Sequence, residues 1–220
     1  MNHLLLSILP LAIGAAMSPT LVIVAVAALT SEKRRLAAGW AVVLGVGVAL
    51  AIITVVIVFF GAELHRHVKQ HGDPAVDALA ALLLFVLAGR SWWKRSKPST
   101  KPSLAESLTN TSPKAYLVVG ATAMLLDFTS IVLYLPAIRE ITKSSAGLGA
   151  SAVALAVMIL FIMLPVLAPV AVATVFGKRA DRTLDRLHGF VVAHSTEIAV
   201  VVELGFAIYF VIKAVTAISS

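Results

Sequence analysis

Apolar residues run along this chain in six long stretches, near 4–29, 36–60, 76–93, 114–138, 147–176 and 191–217, with short polar segments between them. A helix needs about 20 apolar residues to cross roughly 30 Å of hydrocarbon, so the pattern predicts six transmembrane helices. The third stretch is the shortest. Its Trp92-Trp93 pair, followed by Lys94-Arg95, has the composition of an interfacial anchor. The first stretch lasts 26 residues and has only His3 ahead of it. A secretory signal has a basic start and an apolar region of about 7 to 15 residues, so this stretch reads as a retained span.

The first and fourth stretches carry similar interruptions, Ala16-Met17-Ser18-Pro19-Thr20 and Asn110-Thr111-Ser112-Pro113-Lys114. Helix breakers at matching places in two halves are how many secondary transporters build a midplane site. The predicted fold is therefore all-α and polytopic, with six transmembrane helices as an inverted 3+3 repeat and helices 1 and 4 broken or kinked. The halves are 1–93 and 114–220, joined by a cytoplasmic linker at 94–113 that is rich in Ser, Thr, Lys and Pro. Within it, Leu104 to Leu108 reads as a short amphipathic or re-entrant piece. Pro165 and Pro169 predict a kink in the fifth span. Gly177–Gly189 reads as a polar cytoplasmic helix or a solvated connector.

Basic residues set the orientation. Lys33, Arg34, Arg35, Arg90, Lys94, Arg95, Lys97, Lys101, Lys114, Lys178, Arg179, Arg182 and Arg186, 13 of the 18, fall on one side, which the positive-inside rule makes cytoplasmic. Both termini are then expected outside the cytoplasm. With 60% hydrophobic and 13% charged residues, the chain lies far from soluble composition. The net charge of +7 sits in loops without interleaved aromatic residues, so no nucleic-acid partner is expected. There is no cysteine, which excludes disulfides and thiol relays.

Ser18-Pro19 lies about 22 Å along the first helix from Leu4. A proline there leaves a carbonyl unpaired in hydrocarbon unless Ser or Thr side chains, neighbouring helices or water compensate. It reads either as a site or as a packing kink. Ser112-Pro113 has an alternative of its own, Ser as N-cap and Pro as the first helical residue of the fourth span. Intramembrane acids are a sharper signal, because a carboxylate in the bilayer is costly unless paired, hydrated or neutralised. Asp127 shares a helical stripe with Tyr116, Gly120, Ala123, Ser130 and Tyr134, a face turned to protein or water. Glu203 lies mid-way along the sixth span, with Glu197 and His194 three apart nearer its cytoplasmic end. Each is a candidate proton carrier or a structural hydrogen-bond partner.

His65, His67 and His71 form the only histidine cluster, read as a solvated loop rather than a metal site. No metal or cofactor is expected. No Walker, nucleophile-elbow, zincin or dinucleotide motif is present, and no nucleophile pairs with a base, so an enzyme is not expected. Ala37, Ala41, Gly45 and Ala49 form a small-residue face on the second span that serves the fold or a homodimer.

Met17-Ser18-Pro19-Thr20, Lys33-Arg34-Arg35 before Gly39-Trp40, Ser112-Pro113-Lys114, and Asp181-Arg182-Thr183-Leu184-Asp185-Arg186-Leu187 running into His194 resemble the GAP family over nearly the whole chain. These are glycopeptidolipid- and sulfolipid-addressing proteins of the LysE exporter superfamily. The resemblance implies a six-span exporter in a bacterial inner (plasma) membrane, moving envelope lipids or small polar solutes outward. It makes Ser18, Pro19, Ser112, Pro113 and His194 functional candidates. Tyr116 joins the substrate-binding set, and Asp127, Glu203, Glu197 and His194 the proton-coupling set. A non-transporting scaffold of an envelope-lipid export or biosynthesis complex is the alternative.

Overall fold

The computed structural model describes residues 2–29, 35–67, 72–95, 113–144 and 147–219. Eight helices follow one another among them: α1 (Asn2–Ala16), α2 (Pro19–Leu29), α3 (Arg35–His67), α4 (Gly72–Arg95), α5 (Pro113–Leu126), α6 (Phe128–Lys143), α7 (Gly147–Phe176) and α8 (Asp181–Ser219). No strand occurs among the described residues. The linker at 96–112, including Ser112 and Leu104–Leu108, lies outside them, as do His71 and the side chains of His65 and His67.

Among the described residues, three helices are long and apolar enough to cross a membrane: α3 over Arg35–Val58, α7 over Gly147–Phe176 and α8 over Asp181–Thr216. Two more candidates are bent pairs, α1 with α2 at 50° and α5 with α6 at 67°. That makes three to five candidate spans. The apolar part of α4, Ala81–Arg90, is shorter. The outward faces support the membrane assignment. Leu44, Val48, Ile52 and Val55 on α3 and Val201, Ile208, Ile212 and Val215 on α8 are exposed, whereas soluble monomers seldom show contiguous apolar patches beyond a few hundred Å².

Two bent helix pairs occur among the described residues, and the break in the second pair does not involve Pro113. It falls at Asp127, between α5 and α6, and Pro113 is the first residue of α5. The reason is positional. A proline at the first helical turn costs no hydrogen bond, since that N–H has no intrahelical partner. One other expectation is corrected. Gly177–Gly189 is no separate element: a 3-10 turn at Gly177–Ala180 leads straight into α8, which runs unbroken to Ser219. Pro165 and Pro169, where a kink is expected, lie inside the continuous α7 with both rings buried. What ends α7 is Gly177, whose φ of +55° is the left-handed conformation that closes helix C-termini.

Lipid offers no hydrophobic drive for helices to associate, so close packing must hold them. The α3–α5 crossing shows how. A Cβ on Gly45 would overlap the backbone of Leu117 and Ala121, and one on Gly120 would overlap the backbone of Val42. Ala41 and Ala49 on the same face are buried, so the small-residue face of α3 serves the fold. Around this crossing α1 packs on α6 and α7, α2 on α3, α5, α7 and α8, and α4 on α6 and α8. Arg35 at the start of α3 pairs with Asp181 at the start of α8 at 2.6 Å. At the far ends of α6 and α8, Glu140 pairs with Lys213 at 2.6 Å.

Substituting alanine for Gly45 or Gly120 is expected to destabilise the protein by about 1–3 kcal/mol, because backbone faces backbone and neither yields cheaply. Gly89, with open space around it, should accept alanine without loss. Thermal unfolding of the three variants in detergent checks this.

Candidate functional site

The two breaks are built alike. At the first, Met17 N–H closes a tight turn on the Gly14 carbonyl at 3.1 Å, Leu21 N–H donates to Ser18 Oγ at 3.4 Å, and Val22 N–H takes up the Ser18 carbonyl at 3.5 Å. At the second, Asp127 N–H bonds the Met124 carbonyl at 3.2 Å, Ser130 N–H donates to Asp127 Oδ1 at 3.5 Å, and Ile131 N–H takes up the Asp127 carbonyl at 3.2 Å. Ser18 and Asp127 thus do one job, capping the N-terminus of a half-helix whose first N–H groups have no carbonyl behind them.

The first break has a further need. A helix passing through Ala15 would bond its carbonyl to the N–H of residue 19, and Pro19 has none. Ser130 answers it from the other half of the chain. Its Oγ lies 3.1 Å from the Ala15 carbonyl oxygen and 2.7 Å from Asp127 Oδ2. The Ser18 and Asp127 side chains meet in the wall of one cavity. Ser18, Asp127 and Ser130 are all buried, so this polar knot ties the two breaks together inside the bundle.

Beside it opens a cavity of about 590 Å³. Its polar wall carries Ser18, Thr20, Asp127, Thr129, Ser130, Ser195, Thr196, Glu203 and Arg90, and its apolar wall includes Met17, Ile23, Leu87, Leu126, Phe128 and Val202. Glu203, on α8, is 3% exposed, and Thr129 Oγ1 donates to its Oε1 at 3.0 Å. Met17, Leu126 and Phe128 are exposed at the rim, so the cavity opens where apolar side chains meet the surroundings.

Of the residues singled out in the sequence, Ser18, Pro19, Asp127 and Glu203 line this one cavity. The Asp127 stripe keeps to the protein interior across the break, for Tyr116, Gly120, Ala123, Ser130 and Tyr134 are all buried. Tyr116 nevertheless does not line the cavity. Pro113 begins α5 about 21 Å of helical rise before Asp127. His194 and Glu197 are exposed on α8. The His194 ring stacks on Phe190 with its Nδ1 2.9 Å from the Phe190 carbonyl oxygen, and the neighbours Ser195 and Thr196 face the cavity instead. The described residues contain no group of three or more His, Asp or Glu able to hold a metal ion.

Sequence reading missed Thr129, Thr20 and Arg90. The cluster Asp127-Phe128-Thr129-Ser130, three polar residues in four within an apolar run, was the available signal. Arg90 was counted only for its charge.

These features define a helical membrane protein whose interior polar site lies where helices are broken. The family model for Sap, sulfolipid-1-addressing protein, matches residues 8–216, and the chain belongs to this family. It is a family of the kind that the Ser18-Pro19 and Asp181–Leu187 motifs resemble. No curated protein and no solved structure matches the chain.

Thr129→Val keeps the shape of the side chain but removes the donor to Glu203, leaving a buried carboxyl short of one bond. The expected loss is about 1–2 kcal/mol of stability, and Thr129→Ser should restore most of it. Thermal unfolding of the two variants, compared with the parent, measures this.

Proposed function

We propose that the chain is a secondary exporter of an amphiphilic cell-envelope lipid, coupled to protons, and built as six spans in an inverted 3+3 repeat within the LysE exporter superfamily. The observation that carries the reading is the two-faced cavity at the meeting of the two breaks. A polar wall beside an apolar wall accepts a headgroup and its chains together, and the exposed rim at Met17, Leu126 and Phe128 gives chains a way in from the lipid. Membership in a sulfolipid-addressing family points to a lipid with an anionic headgroup. Arg90 and the N-terminal ends of α2 and α6 border the cavity and favour negative charge there.

The repeat is supported by the packing. Exchanging α1, α2, α3 and α4 for α5, α6, α7 and α8 carries α3 on α5 into α7 on α1, α1 on α6 into α5 on α2, and α2 on α8 into α6 on α4. The α3–α7 and α4–α8 contacts map onto themselves. Under this exchange α4 is the counterpart of α8, which makes it the sixth span, with exposed Trp92 and Trp93 at the interface. The Arg35–Asp181 pair then marks the cytoplasmic end and Glu140–Lys213 the outer end. Asp127 and Glu203, both in the cavity wall, are assigned the coupling proton.

Proteoliposomes holding the pure protein, a fluorescent sulfated glycolipid and an imposed pH gradient test the function. Gradient-dependent flux is expected, and Asp127→Asn or Glu203→Gln should lower it by about tenfold, equivalent to roughly 1.4 kcal/mol. Pro19→Ala should impair flux more than folded yield. Absence of flux from well-folded protein would leave the envelope scaffold as the function, and full gradient-dependent flux in the double acid variant would exclude both acids. Orientation has its own test on this cysteine-free chain. Ser220→Cys should label from outside intact cells and Ser99→Cys should not; the reverse would invert the topology.

A further inference from the structure

We propose that Ser130 is a positioning residue whose single hydroxyl proton carries the protonation state of Asp127 across to the break in the first half. The inference deepens the proposed coupling and rests on the reading of Asp127 as a proton carrier. It follows from counting protons. A serine hydroxyl has one to donate. Ser130 Oγ nevertheless approaches two oxygens at hydrogen-bond distance, the Ala15 carbonyl at 3.1 Å and Asp127 Oδ2 at 2.7 Å. A peptide carbonyl only accepts. Both contacts are full two-centre hydrogen bonds at once only when Asp127 is protonated and donates through Oδ2 to Ser130 Oγ, which in turn donates its own hydrogen to the Ala15 carbonyl; otherwise one proton is shared between two acceptors. The neighbouring groups fit this arrangement, because Ser130 N–H donates to Asp127 Oδ1 and leaves Oδ2 for the proton, while Ser18 Oγ accepts from Leu21 N–H.

Removing the proton from Asp127 reverses the chain. The carboxylate then claims the Ser130 hydroxyl, since a hydrogen bond to a charged acceptor is roughly twice as strong as one to a neutral carbonyl. Ala15 is left without its donor, and Pro19 offers no N–H to replace it. A bare carbonyl inside an apolar bundle is relieved by water entering or by α1 moving away from α6. Protonated Asp127 thus ties the two breaks and ionised Asp127 releases them, which is the link that proton-driven opening of the cavity needs.

The charged and titratable groups around Asp127 are few. Arg90 reaches the cavity from α4 and Glu203 from α8. Tyr116 and Tyr134 share its stripe on α5 and α6, the latter bonded to Thr54 of α3 at 2.7 Å. Neither α2 nor α7 contains an ionisable side chain, and none occurs in α1 beyond His3 or in α3 between Leu36 and Ala62.

The test uses the full chain in lipid nanodiscs with no substrate. Ile13→Cys on α1 and Leu135→Cys on α6, both exposed, carry spin labels, and the distance between them is followed against pH. Infrared spectra record the protonated carboxyl of Asp127, identified by its loss in Asp127→Asn. In the parent and in Ser130→Thr the distance should widen over the pH range in which that carboxyl band disappears. Asn at position 127 donates to Ser130 permanently, so Asp127→Asn should hold the narrow distance at every pH. Ser130→Ala should keep a titrating carboxyl while the distance no longer follows it. A distance that titrates as in the parent in Asp127→Asn or in Ser130→Ala would overturn the proposal. If Ser130→Ala does not fold, the Asp127→Asn comparison decides alone. Glu203→Gln, which leaves the Ser130 chain intact, should retain the response, and its loss there would assign the switch to Glu203 instead. Neither measurement involves flux, so a pH response without export would refute the exporter and leave the role of Ser130 standing.

Discussion

Hydrocarbon gives a peptide carbonyl nothing to bond to, and every broken helix inside a membrane has to answer that constraint with protein atoms. Pro19 raises the problem at Ala15, and Ser130 solves it from a helix more than a hundred residues away in sequence. Much of the interior follows from this one bond. It brings the end of α1 against the start of α6, sets the Asp127 carboxyl beside Ser18, and leaves a hollow where two helices that would otherwise run straight turn aside. A straight bundle of the same composition would have no such polar wall in its interior.

Around that knot the bundle is held by contact rather than by exclusion of water. Gly45 and Gly120 let α3 and α5 meet backbone to backbone, and Gly14 leaves room for the Phe206 ring of α8. The Thr54–Tyr134 hydroxyl pair joins α3 to α6 beside this crossing. Such packing is stiff, whereas the two breaks have bonds that can be exchanged between partners. Rigid walls with one adjustable seam fit the exporter proposed above.

The membrane class and the helices α3, α7 and α8 were legible in the sequence because length and hydropathy fix them almost alone. Asp127 was legible too, since an acid in a long apolar run is expensive wherever the helix ends. The break at that acid was not. Pro113 drew attention as the conspicuous helix breaker, yet a proline at a first turn breaks nothing, and a carboxylate that caps its own helix leaves no mark in composition. Pairing Ser18 with Ser112 compared residue types, whereas the equivalence of Ser18 and Asp127 lies in the backbone bonds they make. The polar stretch after Gly177 read as separate because its composition changes there. Helical hydrogen bonding is indifferent to that change, and α8 continues through it.

The unbroken length of α8 has a mechanical consequence. At 39 residues it is about 58 Å long, nearly twice the thickness of the hydrocarbon it crosses, so its first turns stand clear of the lipid. Asp181, clamped to Arg35, and Glu203, in the cavity wall, sit on this one rod about 33 Å apart. One continuous helix, with no break between them, joins the ion pair to the carboxyl. In the proposed exporter, the ion pair at one end and the cavity wall would therefore move together.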